Sequence, residues 1–457
     1  MIIENLLNRF ERWSQFLLAK TSAYSLAVFR ILFGLLMSAY ILVYLLTGRL
    51  QGKYLEPKFL FPFFPSQALP DHLALFALFI LMAVAALFVG LGLFYRISAL
   101  FFCLSITYVF LLDRSQYLNH SYLICLLSLL LTVVEADSVY SLDNLLWRKK
   151  ERLIPRWNLL ILRIQLFIVY LYGGIWKLNP DWLSGEPQRT WLLHKAAYPL
   201  IGPIISQEWF VWVVTFGGIL VDFSLPFLLI FRPTFPFGVA VAMFFHITNS
   251  VLFKIGVFPW LMLATISLFP PANWPVTVSN KLAVWLNKPS IALPSATISS
   301  VKIELSLRSG AAFLSLLFFH LYVIGQLLFP LRHFAYPGNV DWTEEGYYFS
   351  WRMMLHHKDA RLVIYRTDPE TGEVSIVNQQ EWLTKRQMKV MKTQPDMVHQ
   401  FCRWLADLEE RKTGKRPHIR VKLIASLNGH PFRELIDPNV DLGSEPFTLN
   451  HKSWIID

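Results

Sequence analysis

The chain has 457 residues, 54% of them hydrophobic and 16% charged, with 37 Phe, 17 Tyr and 16 Trp. Soluble domains carry about 25% charged residues, and one soluble core cannot hide this much apolar surface, so an ordinary globular protein, a disordered chain, a collagen-like fibre and a simple coiled coil are excluded. Lys and Arg number 42 against 31 Asp and Glu, but residues 331–457 hold 18 and 17 of these, so the basic excess belongs to the first 330 residues, where loop charge sets membrane orientation, and no nucleic-acid partner is expected.

Taken in chain order, Glu4, Arg9, Glu11 and Arg12 interrupt the first residues, so no cleavable signal peptide is expected and the first membrane helix acts as its own insertion signal. Apolar runs of helix-spanning length follow at about 24–46, 72–95, 97–112, 117–134 and 157–176. After a polar connection come 209–231, 235–252, 255–270 and 310–330. These predict an α-helical multi-pass membrane bundle of eight or nine spans, with one of the adjacent short runs between 235 and 270 a candidate re-entrant segment. With the N-terminus inside, the inner loops collect 14 Lys and Arg and the outer loops 8, and RKKERLIPR at 148–156 is the strongest cytoplasmic marker. An odd span count then places the tail on the non-cytoplasmic side. The segment 272–309, rich in Pro, Ser and Thr, reads as a linker along the cytoplasmic surface.

The chain thus divides into a transmembrane domain, 1–330, and a C-terminal soluble α+β domain, 331–457. In the latter, RLVIYR (361–366) and EVSIVN (373–378) flank the turn sequence DPETG as a hairpin, 396–412 has a helical apolar stripe, and 418–429 alternates as a further strand. Cys103 and Cys125 fall in apolar runs and Cys402 in the tail; no C-x-x-C spacing occurs, so neither a metal site nor a disulfide framework is expected.

Polar groups within a bilayer are costly and need a reason to be there. Four clusters stand out: Asn119-His120-Ser121-Tyr122; the string from Gly173-Gly174 through Trp176-Lys177 to Asp181-Trp182; Asp222 after Gly217-Gly218; and His246 with Asn249, three apart on one helix face. Lys177, beside Trp176, is either an anchor that snorkels to the interface or a desolvated amine able to act as a base. Gly173-Gly174 would permit the close helix approach that burial requires. His120 is either bonded across helices or part of an active site. Asp222 is read as a structural intramembrane polar residue, paired with Arg163 or a backbone group.

These residues lie within a resemblance. WNLLILRIQLFIVYLYGGIWKLNPDWL (157–183) resembles the core signature of vitamin K-dependent gamma-glutamyl carboxylases, as does LNHSYLICLLSLLLTVVEADSVYSLDNL (118–145). FFHITNSVLFKIGVFPWLMLATISLFP (244–270), WTEEGYYFSWRMMLHHK (342–358) and SLNGHPFRELIDPNVDL (426–442) are similar to three further blocks, in the family's order over nearly the whole chain. The resemblance implies an integral membrane enzyme with an HTTM-type membrane domain, using reduced vitamin K of phylloquinol or menaquinol type, O2 and CO2 on a glutamate-containing peptide or protein. It places the base that deprotonates the quinol on Lys177, and the carbanion and CO2 half-reaction on His120. Asn119, His246, Asn249 and His356 match motif positions that would line the cofactor site. Animal members carry a second lysine where this chain has Trp176. The shorter chain looks like a microbial homologue, in a bacterial inner membrane rather than the endoplasmic reticulum.

The chemistry agrees with the implied setting. A glutamate γ proton is too weakly acidic for any side chain to remove, so the energy of quinol oxygenation must be converted into base strength in a dry pocket. Two other readings remain at this point: a membrane quinol epoxidase or oxidase without glutamate carboxylation, and an ion-coupled transporter using Asp222, His120 and Lys177, against which no inverted repeat is visible.

Overall fold

The computed structural model describes residues 2–64, 70–148, 151–199, 201–253, 255–286 and 310–457. An amphipathic helix α1 (Ile2–Leu18) leads into α2 (Tyr24–Leu46), α3 (His72–Leu91), α4 (Tyr95–Leu112), α5 (Asn119–Val133) and α6 (Trp157–Ile175). Then come α7 (Glu208–Ile230), α8 (Phe235–Phe253), α9 (Phe258–Thr265), α10 (Trp274–Trp285) and α11 (Gly310–Leu328). Among the described residues, seven helices are long and apolar enough to cross a membrane. The runs expected at 117–134 and 255–270 form only α5 and the pair of α9 with a 3-10 turn, Ile266–Leu268. At 1.5 Å per residue, a 15-residue helix reaches roughly 22 Å of a hydrocarbon core about 30 Å thick.

Both short helices nevertheless run from one end of the bundle to the other, completed by irregular chain. At the near end of α2, Ser25 N and Oγ donate to Ala272 O and Ser267 O at 3.0 and 2.7 Å, beyond α9. The fully buried Arg30 guanidinium donates to Ala136 O at 2.9 Å, beyond α5. At the far end, Asn119, the first residue of α5, donates to Arg352 O of the C-terminal domain, and Gly256, just before α9, lies by His120. Irregular backbone at these depths is tolerable because neighbouring helices cover it. The start of α2 and the soluble domain therefore occupy opposite ends. The expected 272–309 linker differs in part: 274–285 is helical, its entry set by Pro275 in the first turn. Residues 287–309 lie outside the described residues, as do Lys149, Lys150 and Lys254 of the charge argument.

Helix contacts follow side-chain size. A Cβ on Gly34 would sit 2.3 Å from Gly90 N, so α2 and α3 cross backbone to backbone. Gly174 faces the Phe223 ring and Gly173 faces Asp222 and Met353, which brings α6 and α7 together.

In the C-terminal region, β1 (Lys358–Thr367), β2 (Val374–Ile376), β3 (His418–Leu427) and β4 (Arg433–Glu434) form an antiparallel sheet in the order β2-β1-β3-β4. The expected hairpin is present, with Tyr365 opposite Ile376. Helix α12 (Pro395–Thr413), ended by Gly414 in the left-handed region, packs Phe401, Cys402 and Leu405 on the sheet. Phe59 and Phe61, from the loop after α2, enter this core, where Gln387 Nε2 donates to Phe59 O at 2.8 Å. The three cysteines are buried and free.

Candidate functional site

The outer end of α6 is built so that a charged side chain turns inward. The helix stops at Ile175, Asn179 caps the short helix Pro180–Leu183 through Trp182 N at 2.9 Å, and Trp182 Nε1 donates to Thr215 O of α7. Lys177, in the turn between, is 8% exposed; its Nζ is hydrogen-bonded to Asp222 Oδ2 of α7 and stands 5.1 Å from the Trp182 ring centroid. Asp222 therefore pairs with Lys177, contrary to the expected Arg163 partner. Arg163 instead donates from Nε to Leu268 O at 2.7 Å and from Nη2 to Pro270 O at 3.2 Å. The reason is position: Asp222 is level with Gly173, and Arg163 is ten residues, about 15 Å, further along α6.

Lys177 and Asp222 line a cavity of about 470 Å³ between α6, α7, α8 and α9. Small-molecule sites span roughly 300–1,000 Å³ and are mostly apolar with a few placed polar groups. Here the walls include Phe210, Val214, Phe245, Phe258, Met262 and Met353, and the polar groups include Lys177, Asp222, His246 and Asn249. His246 is 1% exposed; its Nε2 meets the Tyr170 hydroxyl at 2.9 Å, and its Nδ1 has no partner among the described residues. An orphaned buried polar atom calls for a ligand or a water. Asn249 has no side-chain hydrogen bond among the described residues, so its amide is also free to meet a bound group.

His120 and His246 both contact the Phe258 ring, each with its centroid 5.8 Å away, His120 stacked at 27° and His246 edge-on at 83°. His120 itself is not in the cavity lining, which Phe258 joins. Asn119 is not in the lining either: its Nδ2 donates to Arg352 O at 2.9 Å and its Oδ1 accepts from the Tyr117 hydroxyl. His356, also expected to line the cofactor site, does not. It lies between Asp341 at 3.3 Å and Glu344 at 3.2 Å. Burial opposes its charge, but the two carboxylates prevail and raise its pKa from 6.5 to about 9. Burial likewise opposes ionisation of Asp341, yet His356 and Arg352 hold it well below the usual carboxylate range.

Sequence reasoning missed the loop that connects these parts. Arg352 makes two bonds to Asp341, at 3.0 and 2.6 Å, and lies over the Trp176 ring at 5.1 Å, while Trp176 Nε1 donates to Ser350 O at 2.7 Å. Trp176 therefore supports the loop. Phe349, Trp351 and Met354 hold positive φ (60°, 59° and 52°), rare for such residues and characteristic of functional segments. Met353 and Met354 close the cavity wall. Asp181, four residues past Lys177, accepts from Asn428 Nδ2 at 2.8 Å and contacts His430 at 3.0 Å. Behind it lies a second, polar groove of about 700 Å³, with Asn179, Asp341, Arg352, His430 and Arg433 among its walls. The 176–182 turn separates groove from cavity. The signals available for these residues were the Trp-rich string at 176–182 and the blocks at 342–358 and 426–442.

Comparison with known families divides the chain in the same order. Residues 19–274 match the HTTM domain, and residues 312–457 match the vitamin K-dependent gamma-carboxylase lumenal domain. No solved structure matches the chain. With the HTTM match covering more than half of its length and the lumenal-domain match most of the rest, the chain belongs to the vitamin K-dependent gamma-carboxylase family.

Proposed function

We propose that the protein is a vitamin K-dependent gamma-glutamyl carboxylase, in which oxygenation of the reduced quinone to its epoxide drives removal of a γ proton from peptidyl glutamate and addition of CO2. The observation that carries this reading is a buried lysine, ion-paired with Asp222, facing an apolar cavity large enough for a bicyclic quinol ring. The residues fit such a group: apolar walls for the ring and an isoprenoid tail, and Lys177, His246 Nδ1 and Asn249 for its hydroxyls. When bound, the reduced quinone supplies, with O2, the oxidative energy that creates a base stronger than any side chain.

The chain's own part is positioning and proton handling. Asp222 Oδ2 gives the Lys177 Nζ proton an acceptor, so the amine can take a proton from a quinol hydroxyl at a fixed place. Phe258, Met353 and Met354 keep water from the ring. His120, outside the lining but stacked on the lining ring of Phe258, is suited to a later proton step. The polar groove beyond the 176–182 turn, where the Arg433 guanidinium lies 4.1 Å from the Trp342 ring centroid, suits an acidic peptide arriving from the soluble side. In this reading the N-terminus is cytoplasmic, the C-terminal domain is non-cytoplasmic, and the membrane is a bacterial inner membrane.

Purified protein given reduced vitamin K, labelled CO2 and a Glu-containing peptide is expected to yield labelled carboxylate together with epoxide. Epoxide without label would replace this reading with a quinol epoxidase; neither product would remove both. A reporter fused after residue 457 should read non-cytoplasmic, and a cytoplasmic signal would reverse the assigned orientation.

A further inference from the structure

At the end of the bundle opposite the soluble domain, a cavity of about 310 Å³ lies among Arg156, Arg163 and Arg232. Arg156 directly precedes α6, Arg163 is in its second turn, and Arg232 follows α7. Between them the walls are apolar, with Phe16 of α1, Leu160, Ile230 and Phe269. Arg163 is fixed by its bonds to the carbonyls of Leu268 and Pro270, and the Arg156 guanidinium lies 5.0 Å from the Phe16 ring centroid. Arg156 and Arg232 are exposed, and among the described residues no carboxylate pairs with any of the three.

Three like charges around one crevice repel each other unless an anion joins them. The setting identifies its source. Helix α1 carries Glu4, Arg9, Glu11 and Arg12 beside exposed Leu6, Leu7, Phe10 and Phe16, the pattern of a helix lying in the membrane interface. Its Phe16 puts the crevice at head-group depth. Guanidinium groups bind phosphate oxygens two at a time, and basic pockets between membrane helices take anionic head groups. The geometry points to a binding site for the phosphate head group of an anionic phospholipid, with Arg156 and Arg232 as its exposed ligands and Arg163 as its fixed back wall. This site is independent of the catalytic reading.

The test is native mass spectrometry of the full chain from micelles holding equal phosphatidylglycerol and phosphatidylcholine. Phosphatidylglycerol should be retained in preference, and Arg156→Gln and Arg232→Gln should each weaken retention about fivefold. Lys281→Gln, an exposed cation on α10 outside the cavity, should leave it unchanged. Arg163→Gln is less informative, since its guanidinium also holds backbone. Thermal transitions equal to the parent's identify folded variants. Equal retention of the two lipids, or unchanged retention in both cavity variants, would overturn the proposal. Displacement of the lipid by excess inorganic phosphate would assign the site to free phosphate and overturn the lipid source.

Discussion

Lys177 and Asp222 are 45 positions apart and form a buried pair only because two glycines let α6 and α7 approach. Each charge was conspicuous in its apolar run, but their partnership was not, since Arg163 was an equally good partner by spacing. Burying either alone would leave an uncompensated charge, which is why the pair is a unit. Lys177→Ala is expected to lower epoxidation by roughly 10²–10⁴-fold, the range for a general base, with partial rescue by small amines. Full epoxidation in that variant would remove the proposed base. His120→Ala, stacked on Phe258 but outside the cavity lining, should still form epoxide but lose labelled carboxylate; equal loss of both products would contradict the assigned division.

Among elements, helix crossings depend on where a Cβ has no room. Gly34→Ala would set a methyl against the backbone of Gly90, and an overpacked contact of this kind costs about 1–3 kcal/mol. The thermal transition of the detergent-solubilised protein should fall accordingly. Gly325→Ala, with open space around the added carbon, serves as the comparison and should leave that transition in place. An equal effect of the two changes would refute backbone contact between α2 and α3 as the cause. Hydropathy alone located each of the seven described helices long enough to cross a membrane, because twenty apolar residues in succession have few alternatives, but it gave no sign of the amphipathic α1. It could not tell that the fourth and eighth runs form short helices completed by irregular chain, because protein cover, rather than composition, decides where irregular backbone is tolerated.

For the whole molecule, the joint between bundle and soluble domain is a charge network of His356, Asp341, Arg352 and Glu344 seated on Trp176. His356 binds its proton more tightly when folded, at about 9, than at the 6.5 of an unperturbed imidazole. Its contribution to stability is thus complete below pH 6.5 and lost as the pH rises through 9, at roughly 1.4 kcal/mol per pH step of one across that window. Thermal stability measured at pH 6 and pH 10 should fall more in the parent than in His356→Gln. If both fall alike, the network does not carry that stability.

Composition and periodicity decided that this chain enters a membrane, where its long apolar helices lie, and that an α+β region of ordinary charge follows. They could do so because burial preference and repeat length are local properties of the chain. Motif similarity named the residues worth watching. Tertiary structure alone decided that Lys177, Asp222, His246 and Asn249 share one cavity, that His120 stacks on Phe258 outside its lining, and that His356 belongs to the joint. Those outcomes depend on helix rotation, depth and close approach, and partners tens to hundreds of positions apart leave no spacing to read.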